Sequence, residues 1–179
     1  MVYFILQAIY YFLPAYFANM IPVIISKLGI LTKPIDFNKK INNKPIFGTH
    51  KTIGGTILGI IFGIILFYIQ TLLYDNLFFQ NLSIVNYSQQ TFLLGFLLSF
   101  GAIFGDLVKS FIKRRIEINE GSKWSPFDQL DYVIGGLLLS FLVVIPSIEI
   151  ILTILILSPF LTYLVNIISY SLKIKSVRW

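Results

Sequence analysis

Asp106, Lys109, Ser110 and Lys113 stand at offsets 0, 3, 4 and 7, so a helix carries all four on one face. Asp106 ends an apolar run directly after Gly105. An ionised carboxylate at that depth in a membrane is costly unless it is paired or holds a metal. Asp128 and Asp131 follow, one helical turn apart, where the next apolar run begins. With Asp106 as a third carboxylate, they suit Mg²⁺, which takes oxygen ligands and leaves positions for substrate phosphates. Lys113, Arg114, Arg115 and Lys123 add fixed positive charge for several phosphates. The chemistry this predicts is phosphoryl transfer at a lipid surface. Blander readings exist for two of the acids. Asp106 could close a helix end on Lys109 or Ser110. Asp128 could complement a helix start, with Ser125 as N-cap and Pro126 at the first position.

Residues 105–131 hold five of the fourteen Lys and Arg and five of the eight Asp and Glu. Around this island the chain is apolar. Of its 179 residues, 56% are hydrophobic and 12% charged, where a soluble domain carries roughly 25% charged. Mean hydropathy is +0.83. The chain therefore reads as a single membrane-embedded domain over residues 1–179. There is no cysteine, which excludes disulfides, thiolate nucleophiles and zinc–sulfur sites. A single histidine, His50, excludes a multi-histidine metal site, so any metal sits on oxygen.

Five apolar segments, 2–25, 53–73, 91–105, 132–148 and 150–171, predict an all-α protein with five transmembrane helices. The third is too short alone and is expected to continue through Lys109 toward Lys113. Segments four and five are expected to form a tight hairpin over residues 146–149, and Pro159 to kink the last helix. All fourteen basic residues fall between segments one and two, between three and four, or after five. With five crossings they share one face, which places the N-terminus outside and the C-terminus in the cytoplasm. The expected location is the cell membrane, multi-pass, with the active site on the cytoplasmic face. Gly55, Gly59 and Gly63 give segment two a small-residue face, for packing within the monomer or for a homodimer seam. Nucleic acid is not among the expected partners.

The other polar region, residues 26–52, carries six lysines and ends in Gly48-Thr49-His50-Lys51-Thr52. A Lys-Thr pair at the start of a helix predicts a phosphate cradle. It is not a P-loop, because the spacing differs and no strand precedes it. A basic loop lying on an anionic leaflet is the alternative.

The runs Gly105-Asp106-Leu107-Val108-Lys109-Ser110-Phe111-Ile112-Lys113-Arg114-Arg115 and Pro126-Phe127-Asp128-Gln129-Leu130-Asp131 resemble the signature of the CDP-archaeol synthases. These are membrane CTP:lipid-phosphate cytidylyltransferases related to the phosphatidate cytidylyltransferases. Leu13-Pro14-Ala15-Tyr16, Ala18-Asn19 and Pro22 resemble the family's first helix, and Pro34-Ile35-Asp36-Phe37 its first cytoplasmic loop. The loop departs from the family's Asp-Gly-Lys-Arg and Gly-Asp-Gly-Lys-Thr at Asn42-Asn43-Lys44-Pro45 and Gly48-Thr49-His50-Lys51-Thr52. The resemblance implies that CTP and an isoprenoid-ether glycerol phosphate give a CDP-lipid and pyrophosphate. It implies Mg²⁺ on Asp106, Asp128 and Asp131, with these acids and Lys113 catalytic. Lys51, Thr52, Ser110 and Lys113 would hold CTP phosphates, and Arg114 and Arg115 would neutralise the lipid phosphate or the leaving pyrophosphate. Alternatives are an acyl-lipid phosphatidate cytidylyltransferase, a CTP-dependent polyprenol kinase and a small membrane transporter.

Overall fold

The computed structural model describes residues Val2–Lys173. Six helices and one short hairpin follow in chain order: α1 (Val2–Leu28), β1 (Lys40–Ile41), β2 (Lys44–Pro45), α2 (Ile53–Leu73), α3 (Leu77–Leu82), α4 (Phe92–Arg115), α5 (Phe127–Ser140) and α6 (Ile148–Ser171). Four of these, α1, α2, α4 and α6, are long and apolar enough to cross a membrane. As expected, the third apolar segment continues as one helix through Lys109 to Arg115. Lys175, Arg178 and Trp179 lie outside the described residues.

Two boundaries differ from expectation. α5 has 14 residues and stops at Ser140, so residues 141–147 form an apolar connection instead of a tight turn over 146–149. Pro146 supplies no amide and pushes Ile145 out of helical geometry, and the β-branched run Val143-Val144-Ile145 gives the helix little support. At the other end α5 starts at Phe127 with Pro126 at the cap and no side-chain cap bond, so Ser125 does not act as N-cap. α3 was not foreseen. Its cap is Asn76, whose side chain accepts the Phe78 N–H at 2.9 Å.

The core is built on α1, where Ala8, Tyr11, Phe12, Ala15 and Ala18 are fully buried. Pro14 lies inside this helix and leaves the carbonyl of Tyr10 without its usual intrahelical donor. The buried Gln70 of α2 supplies one, its Nε2 donating to that carbonyl at 2.5 Å. In lipid no water can take that role. The glycine face of α2 is used inside the monomer. Gly55 and Gly59 lie on Pro22 and Ala18 of α1, and Gly63 on Ser99 of α4. On the other side, Tyr16 and Tyr132 bond Ser158 and Thr162 of α6 at 2.8 and 3.0 Å.

The pair that sets the polar site is α4 with α5. Their backbones meet at glycines: a Cβ on Gly101 would stand 2.4 Å from the Gly135 carbonyl oxygen, and one on Gly105 2.2 Å from that of Asp131. Real carbon atoms do not approach so closely, so only glycine permits this crossing. The result is that Asp131, at the start of α5, lies against the turn of α4 that carries Asp106.

Candidate functional site

Six charged side chains from three elements converge at the polar end of α4. The Lys109 ammonium lies 3.0 Å from Asp106 Oδ1, 3.3 Å from Asp128 Oδ1 and 2.6 Å from Asp131 Oδ2. Lys51, two residues before α2, pairs with the other oxygen of Asp106. Lys113, one turn beyond Lys109, is 3.0 Å from Asp128 Oδ1 and also donates to the carbonyl of Ser122 at 2.6 Å. Helical spacing accounts for Asp106, Lys109 and Lys113 on one face of α4, and the glycine crossing brings Asp131 to that face. Asp131 is the most enclosed of the acids, with 5% of its side chain exposed. One of its oxygens accepts the N–H of Tyr132 at 2.6 Å. The other meets Lys109 as an ion pair but receives no well-directed hydrogen bond. Asp128 reaches outward and accepts the Trp124 N–H at 2.5 Å. That contact orders the turn before α5 and leaves its second oxygen to Lys109 and Lys113.

The three carboxylates expected on a metal are thus gathered around one cation, the Lys109 ammonium. Sequence reasoning gave Lys109 no such place, although its position one turn from Asp106 was the available signal. Among the described residues, no three acidic or histidine side chains form a cage that could hold an ion alone. The donor set still suits Mg²⁺, which binds through one or two carboxylates and completes its shell with phosphates and water. The under-bonded, enclosed Asp131 oxygen is the best-placed ligand.

The first polar loop folds against the end of α4. Asp36, buried, organises it by accepting the N–H groups of Asn38, Phe47 and Gly48 at 3.0, 2.9 and 3.3 Å. The hairpin of β1 and β2 then docks through Arg115. One guanidinium nitrogen donates to Ile41 O at 2.9 Å, and the other to Lys44 O at 3.2 Å and to Pro45 O. Glu120 holds the far end of the loop, accepting Thr49 N–H at 3.0 Å and its hydroxyl at 2.7 Å. Lys44 pairs with Glu117 at 2.8 Å, and this hydrogen bond keeps the exposed Glu117 carboxyl below its usual range. Glu120 carries no spacing signal, and Asp36 enters the sequence reading only within the Pro34-Ile35-Asp36-Phe37 resemblance, with no role of its own.

Several expected phosphate groups are therefore engaged elsewhere. Arg115 is spent on backbone carbonyls. The Thr52 hydroxyl accepts the Gly55 N–H at 3.1 Å as N-cap of α2. The α2 N-terminus is not a cradle, because Ile53 and Gly54 donate to Lys33 and Leu31 carbonyls at 2.9 and 3.0 Å. Thr56 likewise donates to Thr52 O at 3.0 Å. The loop folds back over that end and takes its amides. Ser110 is buried on α4, and Arg114, also buried, faces a separate cavity.

Comparison with known proteins places the chain in a family. Residues 1–179 match the family model described as CarS-like, CDP-archaeol synthase. The CDP-archaeol synthase of Methanocaldococcus jannaschii is 39% identical over 96% of both chains. That of Pyrococcus furiosus is 39% identical over 98% of both. A solved intramembrane enzyme for archaeal membrane lipid biosynthesis shares the fold with a TM-score of 0.72 and 27% identity, over 91% of this chain and 94% of its own. The chain belongs to the CDP-archaeol synthase family.

Proposed function

We propose that this protein joins CTP to an isoprenoid-ether glycerol phosphate, forming a CDP-activated lipid and releasing pyrophosphate. The observation that carries the reading is the cluster of Lys51, Lys109 and Lys113 with Asp106, Asp128 and Asp131 at the polar end of apolar helices. The reaction brings two polyanions together, so the site must offset their repulsion. An oxygen of the lipid phosphate attacks the α-phosphorus of CTP, a new P–O bond forms, and the bond to pyrophosphate breaks. No protein nucleophile is required, so catalysis rests on positioning and charge. Lys51 and Lys113 hold nucleotide phosphates from opposite sides of Asp106 and Asp128. Lys109 keeps the three carboxylates together, and Ser110 and Thr52 line the same end of the bundle. Asp131 and Asp128, with Asp106, would hold Mg²⁺. When bound, the ion supplies positive charge between the phosphates and orients them. The lipid tails remain between helices.

The topology supported by the charge pattern has five crossings, with the N-terminus outside and the site on the cytoplasmic face. α5 spans only about 21 Å at 1.5 Å per residue, against about 30 Å of hydrocarbon. Residues 141–147, with Leu142 and Ile145 strongly exposed, supply the remaining reach. A cysteine placed at Lys39 would be the sole thiol in the chain and is expected to react only from the cytoplasmic side. Reaction from outside would overturn this topology.

The test of the reaction uses detergent-solubilised protein, Mg²⁺, CTP and a panel of lipid phosphates and polyprenols. Label on the α-phosphorus is expected in the lipid product from the ether lipid phosphate. Label arriving only from the γ-phosphorus would make the protein a kinase. A preference for acyl over ether lipid phosphates would move the substrate to the acyl class.

A further inference from the structure

The tight seams of the bundle close at glycines: α1–α2 at Gly55 and Gly59, α2–α4 at Gly63 and Gly95, and α4–α5 at Gly101, Gly105 and Gly135. α6 contains no glycine. It packs on α1 and α5 through a row of side chains four residues apart, Ile150, Ile154, Ser158, Thr162 and Asn166. The first two are buried and apolar, and the last three are polar. Across the polar part, Tyr16 OH meets Ser158 Oγ at 2.8 Å and Tyr132 OH meets Thr162 Oγ1 at 3.0 Å. The first half of α6 is thus held by apolar packing and the second half by two hydroxyl pairs. Its outward residues Ile156, Phe160, Tyr163 and Leu164 are exposed, so lipid lies against this helix.

The helix is weakened where this row changes character. Pro159 supplies no N–H, so the Leu155 carbonyl lacks its usual intrahelical donor. The Ser158 hydroxyl donates to the Ile154 carbonyl at 2.6 Å, a back-bond of the kind that bends helices. That bond also fixes the direction of the next one. Ser158 has one hydroxyl proton and Ile154 takes it, so Tyr16 is the donor to Ser158. When the second half of α6 parts from the bundle, Ser158 keeps its bond and Tyr16 holds a donor for an acceptor in the gap. The seam leads to the carboxylate cluster. Tyr132 follows Asp131 and donates its N–H to that carboxylate at 2.6 Å. Asp131 itself is enclosed, with 5% of its side chain exposed, and a lipid whose tails stay in the bilayer reaches it from the side.

We propose that the second half of α6 is a lateral gate for the lipid substrate, hinged at Ser158-Pro159 and clasped by Tyr16 and Tyr132. The guest and the closed clasp compete for one seam, so binding the lipid opens it. An ether oxygen of the guest accepts the hydroxyl that Tyr16 withdraws from Ser158. That the guest is a lipid phosphate rests on the cytidylyltransferase reading; the hinge and the clasp do not.

The test uses the full chain in lipid nanodiscs. Nitroxide labels at Ile57→Cys on α2 and Ile168→Cys on α6 occupy exposed positions in a chain with no other thiol, and pulsed EPR reads the distance between them. Isoprenoid-ether glycerol phosphate is expected to add a longer distance to the closed one. A hydrogen bond between membrane helices shifts an equilibrium about threefold, so Tyr16→Phe combined with Tyr132→Phe is expected to raise the open-to-closed ratio about tenfold without lipid. In turnover the same double variant is expected to lower the KM for the lipid phosphate by up to about tenfold, with the KM for CTP within about twofold of wild type, because more of the protein is competent to take the lipid. Damaged packing would raise KM or lower kcat instead. Thr162→Ser keeps the hydroxyl and is expected to match wild type. Distances that neither the lipid nor the double variant changes, or a lipid KM that does not fall, overturn the gate. If the double variant does not fold, Ser158→Ala combined with Thr162→Val decides by the same readings. Wild type assayed in parallel with α-labelled CTP separates the two ideas: failure to label a lipid removes the cytidylyltransferase reading, while the distances still decide whether α6 opens.

Discussion

One half of the polar end, Asp106, Lys109 and Lys113 of α4 with Asp128 and Asp131 of α5, encloses its charges, while the other half, Arg115, Glu117 and Glu120 with the hairpin lysine Lys44, uses its charges to attach the first polar loop. Asp131 has 5% of its side chain exposed and Glu117 has 77%. In the enclosed half every acid meets at least one ammonium, and Lys109 meets three acids at once. In the open half, cations mostly grip neutral backbone: Arg115 on hairpin carbonyls, Lys44 on Arg115 O as well as Glu117. Two uses of similar residues follow. Enclosed charges cannot be exchanged for water, so they hold one geometry and respond strongly to a polyanion. Open charges attach a loop and can be replaced at modest cost.

The sharpest way to break this contrast is to remove a charge from the enclosed half. Lys109→Met leaves the enclosed Asp131 without a cation, and Asp106 and Asp128 with only Lys51 and Lys113 respectively. Breaking such a buried arrangement costs about 3–5 kcal/mol, so a large fall in melting temperature and loss of measurable turnover are expected. Asp131→Asn keeps the shape and separates chemistry from folding. It should melt near wild type while turnover falls about 10²–10³-fold, the usual size for removing one preorganised electrostatic group. Wild-type turnover from Asp131→Asn would sink the assignment of Asp131 as a metal ligand.

A packing change comes next. In Gly105→Ala the new methyl would stand 2.2 Å from the Asp131 carbonyl oxygen, so α5 must move off α4. Overpacking of this kind costs about 1–3 kcal/mol. A displacement near 1 Å at a reacting group costs about 10²-fold in rate. Turnover is therefore expected to fall about 10²-fold with only a moderate loss of stability. Equal turnover in Gly105→Ala and wild type would show that the crossing does not set the site.

The sequence made the enclosed half readable because both governing signals are local. Apolar run length marked α1, α2, α4 and α6, and helical offsets placed Asp106, Lys109 and Lys113 on one face. The open half was misread because its contacts are long-range and mostly to backbone. Arg115 resembles any phosphate-binding arginine until the hairpin is seen beneath it, and no spacing rule links Glu120 to Thr49. Lys109 was undervalued for a different reason: its environment depends on how closely two helices approach. Gly105 stands beside Asp106 in the sequence, but no spacing rule pairs it or Gly101 with Gly135 across helices. The end of α5 was missed because composition marks apolar length, while Pro146 and the β-branched run before it decide where helix stops.

In the open half the largest effect is expected at Arg115. Arg115→Met removes donors to three carbonyls and should free the hairpin while the carboxylate cluster stays in place. Bonds from a charged donor contribute about 1.5–3 kcal/mol each before competition from water. The expected result is a rise of about tenfold in KM for CTP with kcat nearly kept, together with faster tryptic cleavage at Lys39 and Lys40. An unchanged cleavage rate would mean that the hairpin does not depend on this clamp.

Glu120 should show the smallest effect, and it tests whether loop attachment reaches the enclosed half at all. Its carboxylate accepts two donors from Thr49 and lies where a Cβ on Gly48 would come within 2.7 Å. Lys51, two residues beyond Thr49, pairs with Asp106. Glu120→Gln keeps an acceptor but gives up the charge, and a neutral bond has roughly half the strength of a charge-assisted one. A KM increase of about fivefold for CTP is expected, with kcat unchanged. The same change in a Lys51→Met background should have almost no effect, because the loop then holds nothing against Asp106. Full additivity of the two substitutions would instead show that Glu120 acts on the loop alone, and that the open and enclosed halves are energetically separate.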